Sequence, residues 1–122
     1  MGKFVIRAVS SGIKFDLKAA NGQIIATSEV YTTESACRGG IRSVRKNAPI
    51  ANVEDQTVEN HGTVTHPKFE MFTDKSGQFR FRLKARNGEI IATSEGYSTK
   101  ASCENGIESV KKNAGDAEIA EE

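Results

Sequence analysis

The run Phe15-Asp16-Leu17-Lys18-Ala19-Ala20-Asn21-Gly22-Gln23-Ile24-Ile25-Ala26-Thr27-Ser28-Glu29 returns as Phe81-Arg82-Leu83-Lys84-Ala85-Arg86-Asn87-Gly88-Glu89-Ile90-Ile91-Ala92-Thr93-Ser94-Glu95. At the same spacing Cys37, Gly40, Ile41, Ser43, Val44, Lys46, Asn47 and Ala48 recur as Cys103, Gly106, Ile107, Ser109, Val110, Lys112, Asn113 and Ala114. Between Ile13 and Ala48, 22 of 36 positions match, which makes the chain two copies of one structural unit. Residues 1–55 form the first copy, 56–67 a polar linker and 68–122 the second. A unit of this size buries only about 60% of the surface its unfolded chain exposes, so it is marginal alone. The expectation is one domain, residues 1–122, in which the copies share a core.

Each copy divides into the same elements. Phe4–Val9 and Phe69–Thr73 are rich in β-branched and aromatic residues and read as strands. Turns follow at Ser10-Ser11-Gly12 and Lys75-Ser76-Gly77. The second copy carries one extra residue, Gln78, which a loop or bulge absorbs without shifting the strand register. Asn21-Gly22 and Asn87-Gly88 then predict two-residue type I′ hairpins. That loop would pair Phe15 with Ser28, Leu17 with Ala26 and Ala19 with Ile24 on the core face. On the other face it would pair Lys14 with Glu29, Asp16 with Thr27 and Lys18 with Ile25. A helix follows, capped by Thr32 or Thr33 and by Ser98 or Thr99. Its apolar stripe is Cys37, Ile41, Val44 and Ala48, repeated as Cys103, Ile107, Val110 and Ala114. Gly40 and Gly106 beside the stripe point to a close approach there, since glycine costs a helix about 1 kcal/mol against alanine. Asn47 and Asn113 suit helix ends. Val53 and Ile119 mark a short fourth strand.

The pattern Asn-Gly-x-Ile-Ile-Ala-Thr-Ser-Glu-x-Tyr, followed by Cys-x-x-Gly-Ile-x-Ser-Val-x-Lys-Asn-Ala, resembles the YegP-like family of small bacterial proteins of uncharacterised function. The resemblance spans nearly the whole chain and both copies carry it. It implies a β-β-β-α-β unit, two of which build one continuous sheet and exchange their C-terminal strands. It brings no catalytic residues. The expected fold class is α+β: one largely antiparallel sheet with two helices on one face, related by a pseudo-twofold axis.

Charge and composition exclude several functions. With 17 basic and 16 acidic residues the net charge is +1, which gives no general attraction to nucleic acid or an anionic membrane. No stretch approaches the roughly 18 apolar residues of a membrane span, and the N-terminus lacks the apolar core of a signal peptide. Cytoplasm is the expected location, and a Cys37–Cys103 disulfide is not expected there. His61 and His66 lie five apart without the further ligands structural zinc needs. No metal and no cofactor are expected.

Three sets of polar residues remain. Arg80, Arg82, Lys84 and Arg86 alternate along one strand and so share one sheet face, which makes them the candidate binding residues for a phosphate backbone or another anion. Glu95 and Glu89 are expected to neutralise part of this stripe. The repeated Thr27, Ser28, Glu29 and Tyr31, with Thr93, Ser94, Glu95 and Tyr97, would form a duplicated ligand site or serve the scaffold. The scaffold reading is preferred because no nucleophile–base pair accompanies them. Four positions invert charge between copies: Asp16 and Arg82, Glu34 and Lys100, Arg38 and Glu104, Arg42 and Glu108. Opposite charges near a twofold axis would hold unlike copies together; drift on solvated surfaces is the alternative. The functional expectation is a non-catalytic binding or protein-interaction module, monomeric, without membrane association. Nucleic-acid or anion binding through the basic face of the second copy is the alternative, with nucleic acid the less favoured partner.

Overall fold

The computed structural model describes residues 2–122. The first copy forms β1 (Lys3–Val9), β2 (Gly12–Lys18), β3 (Ile24–Thr27), α1 (Glu34–Asn47) and β4 (Asn52–Asp55), with a 3₁₀ turn at Ala48–Ile50 between α1 and β4. The second forms β5 (Lys68–Thr73), β6 (Phe79–Lys84), β7 (Ile90–Thr93), α2 (Lys100–Ala114) and β8 (Glu118–Glu121). The eight strands make one sheet in the order β4-β5-β6-β7-β3-β2-β1-β8. The fourth strand of each copy has therefore left its own unit. Strand β4 pairs in parallel with β5, and β8 pairs in parallel with β1. The other junctions are antiparallel.

The halves meet where β3 pairs with β7 through Thr27 and Thr93. These are equivalent residues, so the pseudo-twofold axis passes between them. The first pair of strands keeps its register in both copies. Phe4 faces Leu17 and Ile6 faces Phe15, as Phe69 faces Leu83 and Met71 faces Phe81. The inserted residue is absorbed in the β5–β6 turn, where the Asp74 amide donates to Gln78 O and the Gly77 amide to Asp74 O.

The hairpins differ from the type I′ expectation. Only Gly22 and Gly88 take positive φ there, at 86° and 84°, while Asn21 and Asn87 do not. The Gly22 amide donates to Ala19 O and the Ala19 amide to Gln23 O. This is a turn with central residues Ala20-Asn21, closed by a left-handed glycine. Asn21 Oδ1 accepts from the Gln23 amide at 3.0 Å, and Asn87 Oδ1 from the Glu89 amide at 3.0 Å. The longer loop changes the register beyond Leu17. Leu17 still faces Ala26 and Asp16 faces Thr27, but Lys18 faces Ile24, leaving Ile25 as the extra residue of a bulge. Ile25 and Ala26 are consequently both buried and Ile24 is exposed, and the second copy repeats this at Ile90 to Ala92.

Both helices begin as expected. Thr33 Oγ1 accepts from the Ala36 amide, and Thr99 Oγ1 from the Ser102 amide. Their apolar stripes are buried in one cluster with Phe4, Phe15, Leu17, Phe69, Phe81 and Leu83. Each helix lies on its own copy's second strand and on the other copy's third: α1 on β2 and β7, α2 on β6 and β3. Asn47 and Asn113 do not adopt a left-handed cap. Their side-chain Nδ2 groups donate back to Ser43 O and Ser109 O, each at 2.8 Å, and to the two serine Oγ atoms, each at 3.1 Å, a contact that needs the repeated serines.

The repeated glycines make room for a tyrosine. Tyr31 stacks on Phe15 at 6.4 Å, and Tyr97 on Phe81 at 6.4 Å. A Cβ added at Gly40 would stand 2.8 Å from Tyr31 Cζ and 3.1 Å from Phe15, and closer still to the Tyr31 hydroxyl. Gly106 stands in the same relation to Tyr97 and Phe81. Gly→Ala in a helix interior ordinarily stabilises by about 0.5–1 kcal/mol. Gly40→Ala and Gly106→Ala are expected instead to destabilise by about 1–3 kcal/mol through overpacking. A raised denaturation midpoint in either variant would refute this.

Residues 1–58 expressed alone should be unfolded or dimeric, because β4 would lack its β5 partner and β1 its β8 partner. Sedimentation and melting of that half check the prediction. A cooperatively melting monomer would contradict it.

Candidate functional site

Arg80, Arg82 and Lys84 of the basic stripe lie along β6, but they are neutralised by partners other than those expected. Arg80 Nε is 2.6 Å from Asp74, Arg82 Nε 2.6 Å from Glu70, and Lys84 Nζ 3.2 Å from Glu70. Glu89 and Glu95 make no ion pair among the described residues. The Arg82 guanidinium also sits 4.5 Å over the ring of Phe72. Glu70 in turn contacts Lys68 at 3.2 Å, and Lys68 lies 2.8 Å from Glu54 on the exchanged strand β4. Lys68, Glu54 and Glu70 are all buried. This network thus ties β4 to its adopted neighbours, and three of the four candidate residues have internal partners.

Its acids are held as carboxylates. Hydrogen bonds from Lys68, Gln56 and the Val64 amide bring Glu54 down to about 2. Burial alone would raise Glu70, but hydrogen bonds from Arg82, Lys68 and Lys84 hold it below the usual range. A carboxyl depressed on folding stabilises the protein above its unfolded value and loses that contribution as pH falls toward its folded value. For Glu54 the window runs from about pH 4.5 down to about pH 2. Glu54→Gln should lower stability by about 1.5–3 kcal/mol at neutral pH. The gap from wild type should narrow across that acid window. A pH-independent gap in denaturant titrations would show that Glu54 does not carry the effect.

Three of the charge inversions are accounted for by pairs within the fold. Arg38 reaches Glu121 of β8 at 3.1 Å as well as Glu34 of its own helix at 2.9 Å. Lys100, one turn earlier on α2, reaches Asp55 of β4 at 2.6 Å. Each helix thus supplies a cation to the strand exchanged from the other copy, from a different turn. Asp16 pairs with Arg7 at 2.7 Å, whereas Arg82 pairs with Glu70. No ion pair joins Arg38 or Arg42 to Glu104 or Glu108 among the described residues, so the expectation that the inverted helix charges attract across the axis is not met.

Among the recurring hydroxyls, Thr27, Ser28 and Ser94 are engaged internally. Ser28 Oγ accepts from the Phe15 amide at 2.9 Å and donates to Glu29 O at 2.7 Å. Ser94 does the same with Phe81 and Glu95. Thr27 Oγ1 donates to Asp16 at 2.7 Å. Both cysteines are free, buried thiols; burial raises Cys37 and pushes Cys103 up to about 11. No group of three or more metal-ligating side chains occurs among the described residues.

The remaining stripe residue, Arg86, lies beyond β6, in the β6–β7 turn. Because α1 lies on β7 of the other copy, this turn stands beside the last two turns of α1. Gly39, Arg42, Ser43, Lys46 and Asn47 from the helix, with Ala85, Arg86 and Asn87 from the turn, line a cleft of about 350 Å³. Arg42, Lys46 and Arg86 are exposed, and none makes an ion pair among the described residues. Asn47 is 4% exposed, and its Oδ1 is buried without a hydrogen-bond partner. A pseudo-symmetric cleft of about 540 Å³ lies between α2 and the β2–β3 turn, lined by Ala19, Ala20, Asn21, Asn105, Glu108, Ser109, Lys112 and Asn113. There Glu108 stands in place of Arg42 and Ala20 in place of Arg86. The first cleft is therefore tricationic and the second nearly neutral. The sequence reading identified Arg86 and noted the inversion at Arg42, but nothing local to either residue links them.

A sequence profile described as "Domain of unknown function (DUF1508)" matches residues 10–55 and 74–121, one match in each copy. The chain belongs to this family. A UPF0339 protein of Stutzerimonas stutzeri is 38% identical over 121 residues, covering 98% of this chain and 96% of that protein. A UPF0339 protein of Treponema denticola is 63% identical over 54 residues, which is 44% of this chain but 93% of its own length. The DUF1508 unit thus also occurs singly. The solution structure of yegP from E. coli, a protein of unknown function, superposes with a TM-score of 0.80 at 36% identity, covering 98% of this chain and 91% of that one. The YegP-like resemblance and the α+β fold are both sustained.

Proposed function

We propose that this DUF1508 protein is a non-catalytic binding module whose recognition surface is the cleft between α1 and the β6–β7 turn, and that its partner is a protein presenting an anionic group. The observation carrying this reading is the convergence of Arg42, Lys46 and Arg86, three unpaired cations from two repeats, on one concavity. Elsewhere the polar residues serve the fold. Ser28 and Ser94 have given both donor and acceptor to the backbone, and the raised thiols of Cys37 and Cys103 stay protonated at neutral pH. Nucleic-acid binding through the β6 face is the weaker reading, because Asp74 and Glu70 already occupy Arg80, Arg82 and Lys84. No helix among the described residues is long and apolar enough to cross a membrane, and we place the module in the cytoplasm as a monomer.

Titrating isotope-labelled protein with a polyglutamate peptide, and separately with a single-stranded oligonucleotide, tests the reading by NMR. Shifts should centre on Arg42, Lys46 and Arg86 with the peptide and weaken as salt screens the charges. Shifts centred on Arg80 to Lys84 with the oligonucleotide would favour the β6 face. Silence at the cleft toward every anion would overturn the proposal.

A further inference from the structure

We infer that the α1/β6–β7 cleft is a phosphate site, selective for a phosphate monoester over a carboxylate, and that its pseudo-symmetric counterpart is not. The inference rests on the proposed binding role and names the group that the cleft recognises.

The first argument is charge. Arg42, Lys46 and Arg86 supply three positive charges to about 350 Å³. One carboxylate neutralises a single charge, whereas a phosphate monoester brings about −1.5 to −2 at neutral pH and three acceptor oxygens. Arginine forks match those oxygens in pairs. The volume lies at the low end of the roughly 300–1,000 Å³ of small-ligand sites, so it fits a single phosphorylated group rather than a polymer backbone.

The second argument is the hydrogen-bonding capacity left over on the walls. Ser43 Oγ accepts from Asn47 Nδ2 at 3.1 Å, so its hydroxyl proton remains to be donated. Asn87 Oδ1 accepts from the Glu89 amide, so its amide group also remains a donor. The accessible polar groups therefore present N–H and O–H, the complement of an oxyanion. The buried Asn47 Oδ1 has no hydrogen-bond partner, so the polar floor of the cleft is not closed by the fold's own donors. The carbonyl end of α1 is negative, so the attraction comes from these side chains and not from the helix.

The third argument is internal comparison. The two clefts share Asn47 and Asn113, Ser43 and Ser109, Lys46 and Lys112, and Asn87 and Asn21 at equivalent positions. They differ in charge at Arg42 against Glu108 and Arg86 against Ala20. The scaffold keeps the shared residues in both clefts, while the two arginines are particular to one. They are exposed and unpaired, so the fold does not require them.

Isothermal titration and NMR shift mapping with inorganic phosphate and with acetate test the inference. Wild type should bind one phosphate, with shifts at Arg42, Ser43, Lys46 and Arg86 and none at Asn21 or Glu108. Arg42→Glu with Arg86→Ala, which recasts the cleft as its counterpart, should weaken phosphate by about tenfold or more. Ala20→Arg with Glu108→Arg should create a second site of similar affinity. All four positions are exposed, and unchanged spectral dispersion checks that the variants fold. Phosphate affinity untouched by the first pair, or no second site with the second, overturns the assignment. Acetate binding as tightly as phosphate overturns it while leaving the binding module standing; silence toward phosphate, acetate and polyglutamate removes both. Among phosphate carriers, a phosphoserine peptide and glycerol phosphate distinguish a modified protein side chain from a free metabolite.

Discussion

The exchange of β4 and β8 is the constraint on which the molecule depends. A copy of about 55 residues buries too little surface to fold securely by itself. Here each copy gives its last strand to the far edge of the other, and the connecting segment crosses over the partner's helix. Apart from the exchanged strands, the sheet contact between copies is small, one residue pair at Thr27 and Thr93. The exchanged strands, the helices lying on both repeats and the shared core therefore supply most of the attachment. Opening the halves would expose that core and strip two strands of their partners.

Charged groups follow the exchange. Arg38 with Glu121, Lys100 with Asp55, and Lys68 with Glu54 each join an exchanged strand to its adopted copy. The first two are partly exposed and worth little individually. The third is buried, where removing one partner leaves a charge without compensation. Both strands form sheet edges, and the exposed acidic residues Glu118 and Glu121 on β8 also oppose pairing with further chains. Duplication supplied two equivalent clefts at the helix–hairpin junctions. Divergence at two positions in each made one basic and left the other nearly neutral, so the symmetry of the fold is not carried into its surface.

Much of the fold was legible in the residues because it is local. The helices followed from a 3.6-residue stripe and a threonine cap, and β1 and β5 from their β-branched and aromatic runs. The type I′ reading failed because Asn-Gly also closes a turn whose left-handed residue is the glycine alone. The difference lies in φ at Asn21 and Asn87, which composition does not specify. That single residue of loop length decided which isoleucine of each pair is buried. Of the stripe read as one strand face, Arg80, Arg82 and Lys84 lie on β6, but Arg86 falls in the β6–β7 turn beside α1. The neutralising partners, Glu70 and Asp74, come from β5 and the turn after it rather than from β7. Periodicity reports which face a residue occupies, and it says less about which of two neighbours a flexible arginine will reach.

By itself the sequence determined the duplicated unit, its strands and helices, the buried stripes and the glycines that must stay small, because each rests on residues near one another along the chain. Strand exchange entered only through resemblance to a family. The tertiary structure decided the position of the twofold axis, the partners of the inverted charges and the meeting of Arg42 and Lys46 with Arg86. Those depend on how one copy is laid against the other. That arrangement is set by burying two marginal cores together, a property of the assembled pair that no single copy encodes.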